Sequence, residues 1–505
     1  MSSSSDTSQA QKGSSRRRFL GQASCSAVGA TSLFSTLLNM RCANALAEPT
    51  PVIQPQKGGL PGDDYKALVC LFFAGGADSF NMLVPRGATE HAEYAAVRAD
   101  LALPAGNLLP ITPATSDGRQ YGLHPGMPEV QQLFNNGNLA FVANVGSLVE
   151  PTTKAAILNG SAHLPSGLYS HSDQIAHWQT SIPDRREARG WAGRAADLLR
   201  SSNTNQTVSM NISLAGTNVF QSGTQVVPYA IRPTGNGSIG IKGHPGNSVL
   251  EQLQTTAINN LVDQQYQNLF MQTFAGTNRN ALDSHQLFST SVAAVPPFTT
   301  TFAPNIVSQS FQMVARTIAA RQALGVRRQT FFILFGGWDH HDEVLNAQAA
   351  MLPIVSKALG EFHTVLTELG VLQNVVTFTA SDFGRTLTSN GRGSDHAWGG
   401  NHMVMGGPVK GGDIYGTYPR LFADNDLDTG RGRLIPTTSC DEYFAELALW
   451  LGVSPSELAT VLPNIGRFYQ TGSGNPVGFI NGLPAGDMIF SDGFESGNLS
   501  AWSSR

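Results

Sequence analysis

The order of apolar runs along the chain predicts an α/β protein. Four runs of strand length are continuously apolar, which is typical of strands buried on both faces of a parallel sheet. They cover residues 67–74, 139–145, 330–335 and 375–379, and a shorter strand is predicted for 402–405. Because segments with helical spacing lie between these runs, we expect helices to alternate with strands around a mainly parallel central sheet.

Helices are predicted where apolar residues recur at helical spacing. These segments are 127–134, 192–199, 311–324, 352–369 and 440–451, with Ser439 or Thr438 as the expected N-cap of the last one. From 201 to 304 the composition shifts to Asn, Gln, Thr and Ser with few charges, and we interpret this section as an insertion or cap over the sheet. Within it we predict strands at 207–214 and 225–231 and a long helix at 249–274.

The composition is that of a globular protein rich in loops. Charged residues make up 13% of the 505 residues, and 53 residues are glycine. The formal net charge is −4. Sequence-independent binding of nucleic acid needs a basic surface, so we expect no nucleic-acid partner.

The N-terminal segment has the form of an export signal. Residues 15–20 read SRRRFL, which resembles the twin-arginine signal, and an apolar run at 23–38 and small residues at 43–47 follow. The run contains Ser, Thr and Gly and falls short of the roughly 20 strongly apolar residues of a stable membrane span. We predict a signal peptide at 1–47, export by the twin-arginine machinery to the periplasm or cell surface, and no membrane span after processing. The alternative is a basic tail with an anchoring helix.

The boundaries of the linker, the main domain and the tail are predicted from composition. We expect a linker at 48–66, the main domain at 67–475 with the cap at about 201–304, and a flexible C-terminal tail at 476–505. Two of the four cysteines leave with the signal. Cys70 and Cys440 then either form one long-range disulfide or remain as two buried thiols.

Residues that bind metals are concentrated where the predicted strands end. Asp339 and His341 follow the strand at 330–335 and lie two positions apart, so in extended chain they point to the same side while His340 points away. Asp382 follows the next strand. In open α/β sheets ligands bind at the carboxyl ends of the strands, and an Asp with a His suits zinc or another divalent transition metal.

Further candidates come from a glycine-rich loop and from the end of the first strand. They are Asp395, His396, His402, Asp78 and Ser79. Each of them alone is as readily a turn former, a helix cap or a structural histidine, but the whole set at three strand ends favours a site. The chain contains no HExxH, P-loop, GxSxG or GxGxxG motif, which argues against zincin, NTPase, serine-hydrolase and dinucleotide-binding functions.

A series of longer motifs resembles a known family. With the leader, these are FFAGGADSFNMLVP, LHPGMPEV, YSHSDQIAHWQT, FGGWDHH, SDFGRT, GSDHAWGGNHMVMGGPVKGG and RLIPTTS. Together they resemble the DUF1501 family of exported bacterial proteins, which is similar to the sulfatase/alkaline-phosphatase superfamily, and they span about residues 68–451. The resemblance implies an alkaline-phosphatase-like three-layer α/β/α sandwich with an inserted cap region.

The resemblance also implies a site at the C-terminal edge of the sheet. It would hold one or two divalent metal ions (Zn, Ca, Mg or Mn), with Ser79 as the nucleophile and Arg385 holding a non-bridging oxygen of the substrate. The implied metal ligands are Asp78, Asp339, His341, Asp382, His396 and His402. The superfamily usually has His where this chain has Phe383, so one metal ligand is either missing or supplied from elsewhere, with Asp395 and His396 as the candidates.

The expected function is therefore an exported, metal-dependent hydrolase of phosphate or sulfate esters. Its substrate would be a small-molecule or polysaccharide ester. Phe383 and the C-terminal tail motivate one alternative, a non-catalytic binding protein of the cell envelope or surface that retains the fold. A metal enzyme of another reaction type, such as an isomerase or phosphotransferase, is a third hypothesis.

Overall fold

The computed structural model describes residues 64–483. The predicted signal peptide, nearly all of the predicted linker and residues 484–505 lie outside the described residues. The strands are β1 (Lys66–Ala74), β2 (Leu83–Pro85), β3 (Leu109–Ile111), β4 (Tyr121–Leu123), β5 (Leu139–Gly146), β6 (Asn211–Ser213), β7 (Tyr229–Ala230), β8 (Arg328–Gly336), β9 (Val375–Ser381), β10 (Arg385–Ser389), β11 (Ser394–His396), β12 (Gly400–Gly406), β13 (Ile414–Tyr415) and β14 (Thr438–Ser439).

The helices lie between these strands in chain order. They are α1 (Ala88–Arg98), α2 (Pro128–Asn135), α3 (Lys154–Leu158), α4 (His171–Thr180), α5 (Trp191–Leu199), α6 (Val249–Asp263), α7 (Leu269–Ala293), α8 (Ile306–Ala319), α9 (Val344–Glu368), α10 (Cys440–Leu451) and α11 (Leu458–Val461). Short 3-10 turns include one at Ser79–Asn81. The predicted N-cap of α10 is confirmed, because Ser439 and Glu442 form a capping box there.

The predicted central sheet is confirmed and is mainly parallel. Its strand order is β13-β5-β12-β9-β1-β8-β6-β7, and β14 pairs with β5. β1 lies between β8 and β9 and is parallel to both, so Phe73 is level with Phe335 on one side and with Ser381 on the other. β12 is the antiparallel strand between β9 and β5. This register brings the carboxyl ends of β1, β8 and β9 to the same edge.

The sheet is covered by helices on both faces, which confirms the predicted three-layer α/β arrangement. In β1, Val69, Leu71 and Phe73 pack into a core with apolar residues of α2, α8 and α9. Cys70 and Phe72 point to the opposite face and pack with residues of α5, α10 and α11. Because side chains alternate along a strand, burial on both faces requires the continuously apolar sequence that predicted this strand.

The section at 201–304 differs from a simple cap. β6 pairs in parallel with β8, and β7 with β6, so both strands extend the central sheet. The predicted long helix at 249–274 is two helices, α6 and α7. The second starts where the side chain of Asn268 accepts a hydrogen bond from the amide of Met271 at 3.1 Å, as an N-cap does.

The described residues belong to two compact units. The larger contains 64–255 and 280–483, and residues 256–279 belong to the other. In the smaller unit, Arg279 pairs with Asp263 at 2.8 Å. None of the helices at 64–483 is long and apolar enough to cross a membrane. Cys70 and Cys440 are both buried and free, so the prediction of two buried thiols is confirmed in preference to a disulfide.

The expected tail at 476–505 is wrong at its start, because residues 477–480 pack into the larger unit. Phe479 and Ile480 are fully buried. The carboxylate of Glu446 on α10 accepts hydrogen bonds from the amides of Val477, Gly478 and Ile480 at 2.8, 2.6 and 2.6 Å. A flexible tail can therefore begin only after this segment.

We predict that Glu446→Gln destabilises the protein by about 2 kcal/mol. One oxygen becomes an amide that faces a backbone donor, and hydrogen bonds to a charged acceptor are lost in a buried place. Chemical denaturation would measure the change, with Glu457→Gln on the exposed surface as the control. Equal midpoints for the two variants would contradict the role of Glu446.

Candidate metal centre

Two glycines shape the chain where β1 ends. Gly75 and Gly76 have φ of +121° and +83°, a region that side chains disfavour. A Cβ at Gly75 would lie 2.5 Å from the amide nitrogen of Asp339, and one at Gly76 would lie 2.4 Å from the ring of Phe383. The glycines therefore allow the residues after β8 and β9 to pack closely against the end of β1.

Three histidines converge on Asp339 at this sheet edge. Asp339 Oδ1 is 3.1 Å from His341 Nε2 and 3.3 Å from His396 Nε2. Asp339 Oδ2 is 3.5 Å from the Nε2 of His171, the first residue of α4. The Nε2 atoms of His341 and His396 are 2.9 Å apart. Four side chains that bind metals thus meet in one small volume.

The Nδ1 atom of each of these histidines lies within hydrogen-bond distance of an acceptor. Asp382 Oδ2 lies 2.7 Å from Nδ1 of His171, and Asp395 Oδ1 lies 3.1 Å from Nδ1 of His341. The carbonyl oxygen of Tyr169 lies 2.8 Å from Nδ1 of His396. Because all three partners are acceptors, each Nδ1 carries the proton in the neutral ring, and each Nε2 presents its lone pair to Asp339.

The Asp339 carboxylate is supported by a buried guanidinium. Arg385 is fully buried and donates to Asp339 and to the carbonyl oxygens of Gly75, Gly76 and Ser394. Burial raises the pKa of Asp339, but the hydrogen bond and charge of Arg385 outweigh it and the net shift is downward. Asp339 is therefore ionised at neutral pH.

Burial and neighbouring charges also shift the pKa values of Asp395 and His396 at this edge of the sheet. Burial raises the pKa of Asp395, but hydrogen bonds from Asn390, His341 and Arg431 have a larger, opposite effect, and the net pKa is about 2. Burial lowers the pKa of His396, and nearby Arg385 adds to this effect, so the ring is neutral at pH 7. The site thus combines ionised carboxylates with a neutral imidazole, the protonation states that metal binding needs.

The donor set fits a divalent transition metal. Two Nε2 lone pairs that face each other at 2.9 Å repel unless a proton or a cation lies between them. Ligand atoms bound tetrahedrally to zinc at about 2.0–2.1 Å are roughly 3.3–3.4 Å apart. The contacts of Asp339 with His341 and His396, at 3.1 and 3.3 Å, are close to that spacing. Nitrogen donors favour zinc or a similar metal over calcium and magnesium.

The predicted site residues occupy three positions relative to this centre. Asp339, His341 and His396 lie in it. Asp382 and Asp395 lie beside it and accept hydrogen bonds from the Nδ1 atoms of His171 and His341, respectively. Their role as metal ligands stays a prediction, and in this structure they orient histidines.

Asp78 and Ser79 are paired with residues other than Asp339 and the three histidines that converge on it. Asp78 accepts hydrogen bonds from Arg98 and Ser394 at 2.7 and 2.8 Å. Ser79 is 2% exposed, and its Oγ accepts from the amide of Asn401 at 2.7 Å. Their functions as ligand and nucleophile stay predictions.

His402 is enclosed on β12 among aromatic side chains. Its ring centroid is 4.7 Å from that of Trp178, and burial lowers its pKa to about 3.

Arg385 has its donors directed at carbonyl groups and Asp339. The predicted contact of Arg385 with substrate also stays a prediction, and its present contacts support a role in positioning Asp339.

His171 was not among the residues that we predicted for the site. Its stretch, YSHSDQIAHWQT, is one of the motifs that carry the family resemblance, but a histidine at the start of a helix has no spacing signal that links it to Asp339. Phe383, in place of the expected histidine, packs against the rings of His171 and His396 with centroids 4.8 and 4.6 Å away. His171 and His396 thus supply imidazoles beside the position where one was expected.

Comparison with known families settles the membership of the chain. The model of the DUF1501 family, described as a protein of unknown function, matches residues 65–430. The chain belongs to the DUF1501 family. Among curated proteins, no significant match to this DUF1501 protein is found.

Solved structures similar to this DUF1501 protein include sulfatases and an alkaline phosphatase. The PsFucS1 sulfatase from Pseudoalteromonas sp. is 12% identical with a TM-score of 0.32, and the match covers 85% of this chain and 73% of that one. For Ps i-CgsB in complex with k-i-k-neocarrahexaose the values are 11%, 0.30, 81% and 80%. For the alkaline phosphatase from the Antarctic bacterium TAB5 they are 10%, 0.28, 68% and 92%.

We predict that Asp382→Asn weakens zinc binding by about 10- to 100-fold. The carboxylate accepts from both His171 Nδ1 and the amide of Gly75, and an asparagine has only one acceptor oxygen for the two donors. Titration against a competing chelator would measure the affinity. Asp342→Asn is the control, because Asp342 is exposed and pairs with Arg392. Unchanged zinc affinity in Asp382→Asn would contradict this function of Asp382.

Proposed function

We propose that this DUF1501 protein is an exported, metal-dependent hydrolase of phosphate or sulfate esters. The observation that carries the proposal is the convergence of three Nε2 atoms on Asp339 with every Nδ1 held by an acceptor. Second partners of this kind fix the tautomer and direction of metal-binding histidines in enzymes. The twin-arginine-like leader supports export, although it lies outside the described residues.

The residues of the chain divide the work at the site. His171, His341, His396 and Asp339 would hold the metal, and Arg385 keeps Asp339 ionised. When bound, a divalent metal lowers the pKa of water and polarises a phosphoryl or sulfuryl oxygen. Catalytic zinc sites use three protein ligands and keep the fourth position for water or substrate, so hydrolysis at this centre requires either that three of these four side chains bind the metal or that the metal becomes five-coordinate.

The exposure of the centre supports access by an ester. Asp339 has a side-chain exposure of 47%, and His341 of 45%. Asp382 at 1%, by contrast, is closed off behind His171. A small ester, or the sulfated or phosphorylated part of a polysaccharide, is therefore the substrate class that we propose. The attacking nucleophile stays open between Ser79 and a water molecule.

We predict that Asp339→Ala and His396→Ala each lose the bound metal and at least 100-fold of the turnover. The measurements are elemental analysis of the purified protein and hydrolysis of 4-nitrophenyl phosphate and 4-nitrophenyl sulfate after loading with zinc or manganese. Asp342→Ala is the matched control, since this carboxylate is a near neighbour in the same segment but points to Arg392.

Three results would decide between the hypotheses. Protein without metal, and unable to bind it, would overturn the metal centre. Bound metal without turnover of either ester would favour the non-catalytic binding protein, a function compatible with the buried hydroxyl of Ser79. A product other than the free acid and alcohol would indicate a transferase or isomerase.

A further inference from the structure

One arginine beside the centre is held in a fixed position by a tight turn. Arg433 is the first residue of the motif RLIPTTS. Its carbonyl accepts from the amide and the hydroxyl of Thr429, both at 3.0 Å. The carboxylate of Asp428, which is 4% exposed, accepts from the amides of Gly430 and Gly432 at 2.8 Å. The turn therefore fixes where the side chain of Arg433 begins.

The guanidinium of Arg433 is attached to the centre through His396. Its Nε donates to the carbonyl oxygen of His396 at 3.2 Å. Its Cζ lies 4.9 Å from the centroid of the Tyr169 ring, the geometry of a cation–π contact. The carbonyl of Tyr169 in turn accepts from His396 Nδ1. Tyr169 has a φ of +72°, so its backbone is held in a conformation that favours glycine.

Arg433 differs from the other arginines around the centre in having no acidic partner in the described part of the chain. Arg385 pairs with Asp339, Arg392 with Asp342 and Glu343, and Arg431 with Asp395. Within residues 64–483, neither a carboxylate nor a hydrogen-bond acceptor contacts the two terminal nitrogens of Arg433. A fixed guanidinium with a free pair of N–H groups is suited to two oxygens of a tetrahedral anion.

We infer that Arg433 binds the non-bridging oxygens of the phosphate or sulfate group of the substrate. This inference rests on the proposed function and names the residue that recognises the charged part of the ester. Arg385 is less suited, because its donors are taken by Gly75, Gly76, Ser394 and Asp339. The stacked ring of Tyr169 and the bond to His396 pre-organise Arg433 for this contact.

The test uses the metal-loaded protein and the variants Arg433→Lys and Arg433→Gln. We expect KM for the 4-nitrophenyl ester, and the inhibition constant of inorganic phosphate or sulfate, to rise about 10- to 100-fold in Arg433→Gln, with a smaller change in kcat. Arg433→Lys keeps the charge and should recover part of the loss. Arg420→Lys is the matched control, because Arg420 also stacks on an aromatic ring, Phe422, but pairs with Glu93.

Each other outcome has a defined meaning. Unchanged KM and inhibition constants in Arg433→Gln would overturn the inference and leave the hydrolase proposal intact. Loss of metal from the Arg433 variants, while Arg420→Lys keeps it, would show that Arg433 only supports His396 and would also overturn it. Comparing phosphate with sulfate identifies which anion the site prefers.

If the wild-type protein hydrolyses neither ester, the hydrolase proposal fails, and calorimetry with inorganic phosphate and sulfate still tests Arg433. Binding by metal-loaded wild type that weakens at least 10-fold in Arg433→Gln would support the inference. Equal binding by both proteins, or no binding by wild type, would overturn it.

Discussion

The candidate centre depends on the way in which each imidazole is held at its Nδ1. An imidazole beside a carboxylate can rotate or bind through either nitrogen, and a site with such freedom binds metal poorly. Here two carboxylates, Asp382 and Asp395, and the carbonyl of Tyr169 each fix one ring. The acceptor atoms come from the residue after β9, from β11 and from the loop before α4, so the ring directions are set by the fold as a whole.

Arg385 connects the same centre to the central sheet. Its guanidinium donates to carbonyl oxygens of the segment after β1, of the segment after β8 and of β11. Burying an arginine costs solvation free energy unless its donors are paired, and here they are. The consequence is that Asp339 stays ionised and in one place, and that the donors of Arg385 are already occupied.

The parts of this arrangement that lie along one strand were predictable. β1, β8 and β9 are continuous apolar runs, and parallel pairing takes their carboxyl ends to one edge. The side chains of Asp339, His340 and His341 alternate in direction as the sequence predicts. His340 is buried next to Trp338, while Asp339 and His341 lie in the centre. The predicted start of the C-terminal tail at residue 476 was wrong. Glu446 accepts hydrogen bonds from three amides more than 30 positions later, and no local sequence pattern indicates such a contact.

The remaining parts depend on contacts between distant segments. His171 meets Asp382 across 211 positions, and no periodicity encodes that distance. An aspartate that binds a metal and one that orients a histidine are the same residue in a sequence, so the sequence does not separate the ligand role predicted for Asp382 and Asp395 from the contacts with histidines that both make. The acceptor for His396 is a backbone carbonyl, which has no side-chain signature at all.

The most direct test of the metal centre is anomalous diffraction from crystals of the zinc-loaded protein. We expect a peak bonded to Asp339 and to the Nε2 atoms of at least two of the three histidines, at about 2.0–2.1 Å. A peak bonded instead to Asp78 or His402, or to an Nδ1 atom, would contradict it, as would a zinc-loaded crystal with no peak beside Asp339.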